Sequence, residues 1–313
     1  MGRKTKDSGV DGLLVVDKPA AWTSHDVVAK CRGVFAQRRA GHSGTLDPDA
    51  TGVLLIGFGQ VTKLLSLLTV LPKRYTGEVV LGSATSTLDS SGDVLHTYDM
   101  AEITLEQVRT AAATFRGDIL QIPPMVSAVQ VGGVRLHELA RQGIEIERAP
   151  RPVHVYRYDV TGEVEAGVFA VDVTCSSGTY VRTLAADVGG ALGGGAHLRN
   201  LRRVAIGSFE VAEGAAVDER LRDHSLLSPA DALRDYASVV IDDDGLVAQI
   251  RNGRVLPLET FDGRIPPRQG ASIGAGAPDL SRPWAVLDAL GALVAVYEPH
   301  RGDTAKPLVV LAR

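Results

Sequence analysis

Apolar residues recur at helical spacing in three segments of the chain. The first begins after Thr23 and the second after Thr104, and in each a polar side chain three positions on, Asp26 or Gln107, completes the pattern of a capping box. The third follows a Ser-Gly step near residue 178. The apolar faces of the first and third helices are formed by Val27, Val28, Cys31, Val34 and Phe35, and by Val181, Leu184, Ala185, Val188 and Leu192.

Strand patterns lie between these helices, as continuous apolar runs or as apolar residues at every second position. They cover residues 13–16, 75–81, 156–164 and 169–175, and the apolar neighbourhood 53–71 predicts a strand followed by an amphipathic helix. Strands and helices do not alternate at the regular spacing of βαβ units. The pattern therefore predicts an α+β fold, in which helices flank a mixed and largely antiparallel sheet.

The pattern changes between Ser228 and Asp235. Beyond this point the pattern predicts a short strand, a helix capped near Asp243, a Gly/Pro-rich stretch over residues 263–283 and a hairpin before a final strand. These features predict a small β-rich domain over 236–313. We expect a flexible N-terminal tail over 1–10 and one larger domain over 11–235.

Composition narrows the class of protein. With 313 residues, of which 45% are hydrophobic, the chain has enough material for a full core. Its two cysteines and eight histidines show no metal-ligand spacing, so we expect neither a metal nor a disulfide framework. The apolar run near the N-terminus is too short for a signal peptide, and we predict a cytoplasmic protein with no membrane span. The net charge of −4 neither suggests nor excludes nucleic acid.

The segment AGHSGTLDPDATG, residues 40–52, is the densest unusual motif of the chain. It places Asp47 before a proline in a glycine-rich loop between a predicted helix and a predicted strand. On local pattern alone, Asp47 is most simply a turn residue and His42 a loop histidine. A glycosidase would need two carboxylates about the scissile bond, and the loop offers only Asp49 as a partner.

Several motifs in order along the chain resemble those of one family. AGHSGTLDPDATGVL resembles the signature of the TruB family of tRNA pseudouridine synthases, a Gly-His-x-Gly-x-Leu-Asp-Pro loop that carries the catalytic aspartate. The further matches are LLVVDKPAAWTSHDVV from residue 13, KRYTGEVVLGSAT from residue 73, FRGDILQIPPMVSAV from residue 115, SSGTYVRTLAADVG from residue 176 and GAHLRNLRR from residue 195. The C-terminal segment resembles the PUA-like RNA-binding domain of the same family.

The resemblance implies a pseudouridine synthase fold and a reaction that needs no cofactor. The enzyme breaks the bond between N1 of uracil and C1' of ribose in uridine 55 of the tRNA T loop, turns the base and rejoins it through C5. Asp47 would be the catalytic carboxylate, and it could trap the ribose covalently, stabilise it or act on its C2' proton. Arg182 would pair with Asp47, and Tyr75 would face the flipped uracil.

The resemblance also implies residues that bind the substrate. Tyr180 would line the same pocket, Leu201 would pack against the base, and Lys18 would support the pocket. His42 would enter the T loop in the place of the extruded nucleotide. Arg199, Arg202 and Arg203 are read as a basic cluster suited to phosphates or as a solvated helix end. Family members often carry other residues at Ser86, Ser91, Val126 and Gln130.

Without the family, Tyr75 is a core strand residue and Arg182 a surface residue of a helix. Two rival functions remain open: a pseudouridine synthase that acts on another RNA or is guided by a partner RNA, and a silent tRNA-binding module. Intact Asp47, Tyr75 and Arg182 argue against the silent module. We therefore expect a monomeric enzyme that binds the T arm of tRNA.

Overall fold

The computed structural model describes residues 9–127, 130–131, 134–135, 142, 144, 146–261 and 282–311. Most of the predicted N-terminal tail and of the Gly/Pro-rich stretch over 263–283 therefore lies outside the described residues, as does the side chain of Gln130. Among the described residues, no helix has the length and apolar character that crossing a bilayer requires.

Five α-helices and nineteen strands are described, together with short 3-10 turns. The helices are α1 (Ser24–Val34), α2 (Leu65–Thr69), α3 (Leu105–Ala113), α4 (Val181–Ala191) and α5 (Asp244–Arg251). The strands up to residue 135 are β1 (Gly12–Lys18), β2 (Ala40–Ser43), β3 (Thr51–Phe58), β4 (Lys73–Leu81), β5 (Ser83–Thr85), β6 (Val94–Thr97), β7 (Gly117–Gln121), β8 (Gln130–Val131) and β9 (Val134–Arg135). The later strands are β10 (Arg151–Glu165), β11 (Val168–Cys175), β12 (Ala196–Ile206), β13 (Phe209–Glu210), β14 (Ala215–Ala216), β15 (Ser238–Ile241), β16 (Leu256–Pro257), β17 (Trp284–Asp288), β18 (Leu293–Pro299) and β19 (Thr304–Val310).

A ten-stranded sheet forms the large domain, with the order β14-β1-β3-β12-β4-β11-β10-β7, while β2 pairs with β3 and β13 with β12. Its pairs are antiparallel except for β1 with β14 and β3 with β12. A second sheet, in the order β15-β17-β18-β19-β16, lies beyond residue 237. The predicted α+β class, with a mixed and largely antiparallel sheet and a small β-rich C-terminal part, is confirmed.

Both predicted capping boxes are present. The Thr23 side chain accepts a hydrogen bond from the backbone of Asp26 at the start of α1, and Thr104 does the same with Gln107 at the start of α3. Reciprocal bonds from the cap backbone to the third side chain satisfy amides that would otherwise lack partners. Local sequence is therefore sufficient to place the beginnings of these two helices.

Two segments differ from the sequence prediction. After β3 the sequence predicted one amphipathic helix. The chain instead forms a 3-10 turn over Gly59–Leu64, followed by the short helix α2. The arginine-rich segment after residue 195 is not a helix end but the central strand β12, which pairs with β3 and β4. Arg199 and Arg202 lie opposite Glu78 and Thr76 on one face of the sheet, and Arg203 lies opposite Tyr75 on the other, so the three do not form one exposed cluster.

Strand β1 is covered on both of its faces. Leu14 and Val16 pack with α1 in one apolar cluster, whereas Leu13 and Val15 pack in another. That second cluster also contains residues of the C-terminal sheet: Ala285, Leu287, Leu293, Val296 and Leu311. A strand buried on both faces reads as a continuous apolar run, which accounts for the unbroken pattern at the start of the chain.

Polar contacts join the two parts of the chain at the edge of this shared cluster. The hydroxyl of Tyr236 donates to the carbonyl of Leu67 at 2.7 Å, and Lys63 Nζ donates to the carbonyl of Val310 at 2.9 Å. Just before Tyr236, both carboxylate oxygens of Asp235 accept from the amide of Ser208 at 3.1 Å. The segment that links the two sheets is thus fixed to the large domain on both sides of residue 235.

The shared cluster predicts that the two parts unfold together. Leu287 is 6% exposed in the cluster, whereas Leu290, in the same hairpin, is 94% exposed. We expect Leu287→Ala to lower the free energy of unfolding by roughly 3 kcal/mol because it leaves a cavity, and Leu290→Ala to change it by less than about 0.5 kcal/mol. Calorimetry of both variants should show one transition, shifted only in Leu287→Ala. A second, separately shifted transition in that variant would contradict joint unfolding.

Candidate active site

The loop that carries Asp47 connects two strands and not a helix and a strand as predicted. Its first residues form β2, which pairs antiparallel with β3 from Ala40 opposite Phe58 to Ser43 opposite Leu55. Gly44 then turns the chain with φ +75°, a region that side chains disfavour. Asp47 lies in the short connection between these strands.

Both neighbours of Asp47 are held by buried side chains from the β1–α1 region. Ser24 Oγ accepts from the amide of Leu46 at 2.9 Å and lies 3.2 Å from its carbonyl oxygen. Lys18 is fully buried, and its Nζ donates to the carbonyl of Pro48 at 2.8 Å. Burial lowers the pKa of Lys18 to about 8. Since the peptide groups on either side are fixed, the direction of the Asp47 side chain is fixed as well.

Arg182, the second residue of α4, lies against Asp47. Its Nε is 3.0 Å from Asp47 Oδ2, and the arginine side chain is only 4% exposed. The terminal nitrogens donate to the carbonyls of Thr87 at 2.8 Å and Val126 at 2.9 Å. The guanidinium is therefore oriented by two backbone segments as well as by the carboxylate. The predicted partnership of Arg182 with Asp47 is present, and Arg182 is not a surface residue of its helix.

A second carboxylate, Asp89, lies close to the same arginine. Its Oδ2 is 3.5 Å from Arg182 Nη1, while its Oδ1 accepts from Thr87 Oγ1 at 2.5 Å and Ser91 Oγ at 2.6 Å. A β-bridge to Leu198 of β12 places Asp89 there. The sequence prediction did not include Asp89 among the site residues. The signal was the Ser/Thr-rich turn around it, which supplies donors for an ionised carboxylate but does not reveal its distance from Asp47.

Three positions that depart from the family pattern make hydrogen bonds in this turn or beside it. Ser91 donates from its amide and its hydroxyl to Asp89, and Val126 supplies one of the carbonyls that orient Arg182. Ser86 Oγ accepts from the amide of Asp93 at 3.1 Å and so helps to close the turn. These residues shape the rim of the site through hydrogen bonds that do not require the usual family side chains.

Asp47, Asp89, Arg182 and Leu201 line one open cavity of about 200 Å³. Burial raises the pKa of the Asp47 carboxyl; the Arg182 charge opposes this, and the Asp89 charge adds to it. The Asp47 side chain is nevertheless 43% exposed, because it faces the cavity. A carboxylate with a raised pKa therefore lies where a ligand can reach it.

The other predicted site residues lie around the loop and do not line the cavity. Tyr75, on β4, is 8% exposed and packs in the cluster that contains Leu46. Burial raises the pKa of its hydroxyl, with the Arg203 charge opposing and the Asp47 charge adding a smaller increase. Tyr180 precedes α4, and its backbone amide donates to Gln121 Oε1 at 2.7 Å.

His42 lies on β2, with its ring edge-on to His25 at a centroid distance of 5.3 Å. Burial lowers the pKa of His42 to about 4, so the ring is neutral at physiological pH. Its buried Nδ1 has no hydrogen-bond partner among the described residues. A neutral ring of this kind can stack on a nucleobase without the cost of desolvating a charge.

The predicted arginine cluster on β12 is not free for phosphates. Arg199 pairs with Glu78 and Glu165, and Arg202 Nη2 pairs with Asp17 at 2.6 Å. Arg203 is only 1% exposed. The interpretation as a basic surface was wrong because β12 lies inside the sheet, next to strands that supply carboxylates and carbonyls. Among the described residues, no group of three His, Cys, Asp or Glu side chains is arranged to hold a metal ion.

Comparison with known proteins agrees with the geometry. Residues 32–181 match the family described as TruB family pseudouridylate synthase (N terminal domain). The chain is 50% identical over 211 residues to tRNA pseudouridine synthase B of Mycolicibacterium paratuberculosis, an alignment that covers 66% of this chain and 72% of that protein. It is 42% identical over 262 residues to the protein of the same name in Mycobacterium tuberculosis, covering 80% and 86%.

Solved structures show the same fold. The chain superposes on a chain of a Cbf5-Nop10-Gar1 complex with a TM-score of 0.69 and 25% identity, covering 96% of this chain and 84% of that one. A chain of an H/ACA RNP bound to a substrate RNA gives a TM-score of 0.68 at 23% identity, covering 96% and 85%. These likenesses extend over both sheets. From the family match and the identity to its members, the chain belongs to the TruB family of pseudouridylate synthases, which are isomerases.

Proposed function

We propose that this protein isomerises uridine 55 in the T loop of tRNA to pseudouridine, with Asp47 as the catalytic carboxylate. The observation that carries the proposal is the Asp47 carboxylate at an open cavity, 3.0 Å from a buried guanidinium. The two mycobacterial relatives described above are both named tRNA pseudouridine synthase B, which supports tRNA as the substrate. We also propose that the protein acts as a monomer in the cytoplasm, without a cofactor.

The cavity can receive a base only after the base has left its stack. In an RNA loop, a nucleotide can be extruded at a cost of a few kcal/mol, which stacking elsewhere can offset. Leu201 lines the cavity and supplies an apolar surface for the uracil. His42, neutral and unpartnered at Nδ1, is suited to the place that the extruded nucleotide vacates. Tyr180 and Lys18 support the cavity from behind through their backbone contacts.

Within the cavity, the role of Asp47 follows from its charge. Cleavage of the N1–C1' bond makes the ribose electron-poor, and an ionised carboxylate at C1' stabilises it or traps it covalently. The Arg182 charge favours the ionised form of Asp47, against the effect of burial. Tyr75 packs behind the loop and is held in the neutral form by burial, and its part in the reaction is proposed from the family resemblance.

We further propose residues 11–235 as the catalytic domain and residues 236–313 as a PUA-like RNA-binding domain. The change from the ten-stranded to the five-stranded sheet falls between β14 and β15, in support of this boundary. The shared apolar cluster holds the second domain against β1, which carries Lys18, and against β3, which follows the Asp47 loop.

The proposal is tested on a T-arm hairpin transcript labelled with tritium at C5 of uridine. Purified protein alone, without a guide RNA, is expected to release tritium and to modify position 55 when the product is mapped. A hairpin with cytidine at that position should give no pseudouridine. Modification of another position only, or only in the presence of a partner RNA, would contradict the proposed specificity.

Asp47→Asn should abolish turnover and leave RNA binding nearly unchanged, because it removes the charge but keeps the shape of the side chain. Tritium release at saturating enzyme and the Kd of the hairpin by filter binding measure the two effects. Asp49→Asn, in the same loop, is the matched control and should keep the rate within a few-fold. Normal tritium release by Asp47→Asn would remove Asp47 from the catalytic role.

Arg182→Lys should lower the single-turnover rate on the order of a hundredfold, with tRNA affinity nearly preserved. Lysine keeps the charge but cannot hold Asp47, Thr87 and Val126 at once with a planar group. A displacement of the carboxylate by about 1 Å has an effect of this size. An unchanged single-turnover rate would show that Arg182 acts only as a nearby charge.

Asp89→Asn should move the acid limb of the rate profile to lower pH. Asp47 must be ionised to act, and its raised pKa places the loss of activity at a higher pH than an ordinary aspartate would show. Removing the negative charge of Asp89 lowers the pKa of Asp47, so activity persists further into acid. Asp93→Asn, an exposed position in the same turn, is the control and should leave the limb in place. A limb that moves to higher pH in Asp89→Asn would refute this coupling.

A further inference from the structure

Arg203 is an arginine inside the protein whose contacts are unusual for a buried charge. Its side chain is fully enclosed by β3, β4 and the Asp47 loop, with the whole residue 1% exposed. Among the described residues, no carboxylate forms an ion pair with it. Burying a charge without such a partner is costly, so its hydrogen bonds must supply the compensation. Where these bonds go indicates what the charge is for.

The guanidinium binds both ends of the loop that carries Asp47. Nη2 donates to the carbonyl of Gly44 at 3.1 Å and Nη1 to that of Thr45 at 3.4 Å, both before Asp47. Nε donates to the carbonyl of Val53, after Asp47, at 2.7 Å. One planar group therefore holds together carbonyls that precede and follow Asp47 in the chain.

The backbone of Arg203 lies between the Asp47 hairpin and the strand of Tyr75. In β12, Arg203 is registered with Gly52 of β3 on one side and with Tyr75 of β4 on the other. Gly52 has φ +105°, and a Cβ at this position would lie 2.1 Å from the carbonyl oxygen of Arg203. The strands approach too closely there for any other residue. The same residue thus touches the loop of Asp47 and neighbours Tyr75.

The side chain of Arg203 also acts on Tyr75. Burial raises the pKa of the Tyr75 hydroxyl, and the nearby Arg203 charge opposes the rise. Lys73, another buried cation near Tyr75, cannot substitute, because its Nζ donates to the carbonyls of Thr69 at 2.6 Å and Leu71 at 2.7 Å. Within the described part of the chain, the bridge between the loop and Tyr75 is made by Arg203.

We propose that Arg203 is a positioning residue for the reaction, which sets the Asp47 loop in register with Tyr75. This inference rests on the proposed function of Asp47 and Tyr75. Arg203 does not reach the cavity, so it acts through these two residues and not on the RNA. Its removal should therefore slow the chemical step and leave binding of the T arm intact.

The test compares Arg203→Lys with Arg234→Lys. Arg234, like Arg203, holds a backbone carbonyl, that of Ser208, and it also pairs with the carboxylate of Glu213. Neither group belongs to the Asp47 loop. We expect Arg203→Lys to lower the single-turnover rate by a factor of about ten to a hundred, with the Kd for the T-arm hairpin within about twofold. Arg234→Lys should keep the wild-type rate, even if its Tm falls as far as the Tm of Arg203→Lys.

A double-mutant cycle with Tyr75→Phe distinguishes positioning from general stability. If Arg203 acts through Tyr75, the fold loss of rate in the double variant is smaller than the product of the fold losses of Arg203→Lys and Tyr75→Phe. Multiplicative losses, an unchanged rate, or a rate loss equal to that of a control variant with the same fall in Tm would each overturn the proposal. Arg203→Gln, which buries no charge, is the second variant if Arg203→Lys does not fold. Failure of both to fold would assign Arg203 to the fold alone.

The outcome is separable from that of the proposed function. If wild-type protein does not modify the hairpin, or if Asp47→Asn remains active, the proposed function fails. If the wild type is active, Asp47→Asn is inactive and Arg203→Lys converts the hairpin at the wild-type rate, only the role of Arg203 fails.

Discussion

The contact between the Asp47 carboxylate and the buried guanidinium of Arg182 is the interaction on which the rest of the site depends. It joins the β2–β3 loop to the start of α4, two segments far apart in the chain. A buried guanidinium must find a partner for each of its donors, and here the remaining ones bind Thr87 and Val126. Because of this requirement, the turn after β5 and the segment after β7 are drawn to the same place, and the cavity forms between them.

Two further buried cations bind the backbone of the Asp47 loop and its neighbours. Lys18 and Arg203 are both buried, and both direct their donors to backbone carbonyls of the loop or of its neighbours. Carbonyls bound in this way cannot move without leaving a buried charge without a partner, which is costly. The loop is therefore rigid although it has little regular structure of its own. A rigid carboxylate suits a reaction in which the catalytic group must already be in place when the base enters.

The C-terminal domain contributes to this rigidity from a distance. Its apolar residues cover the face of β1 and β3 that α1 does not cover, and β1 supplies Lys18 while β3 supplies the end of the Asp47 loop. Burial on both faces leaves these strands little freedom to shift. A domain proposed for RNA binding thus also stabilises the strands next to the site. The hydrogen bonds of Asp235 and Tyr236 fix the linker between the two sheets.

The sequence by itself determined many of the elements and which residues are proposed to react. Capping residues fixed the starts of α1 and α3, and periodicity located β4, β10, β11 and α4, because these signals are local and need no knowledge of distant contacts. The resemblance of the Asp47 loop and of the segment around Arg182 to one family identified the pair that the structure brings together. The departures at Ser86, Ser91 and Val126 were visible, although their roles were not.

Only the tertiary structure decided the positions that depend on pairing between distant segments. Asp89 lies in the site because of its bridge to β12. The arginines of β12, predicted as a basic surface, are paired or buried because the segment is a central strand. Periodicity could not show this, since a short arginine-rich run has the same local pattern on a helix end as on a strand. Whether an arginine meets solvent, a carboxylate or a carbonyl is set by its neighbours across the sheet. Apart from Glu165 of β10, those neighbours come from the part of the chain that carries β1, β3 and β4, more than a hundred residues earlier.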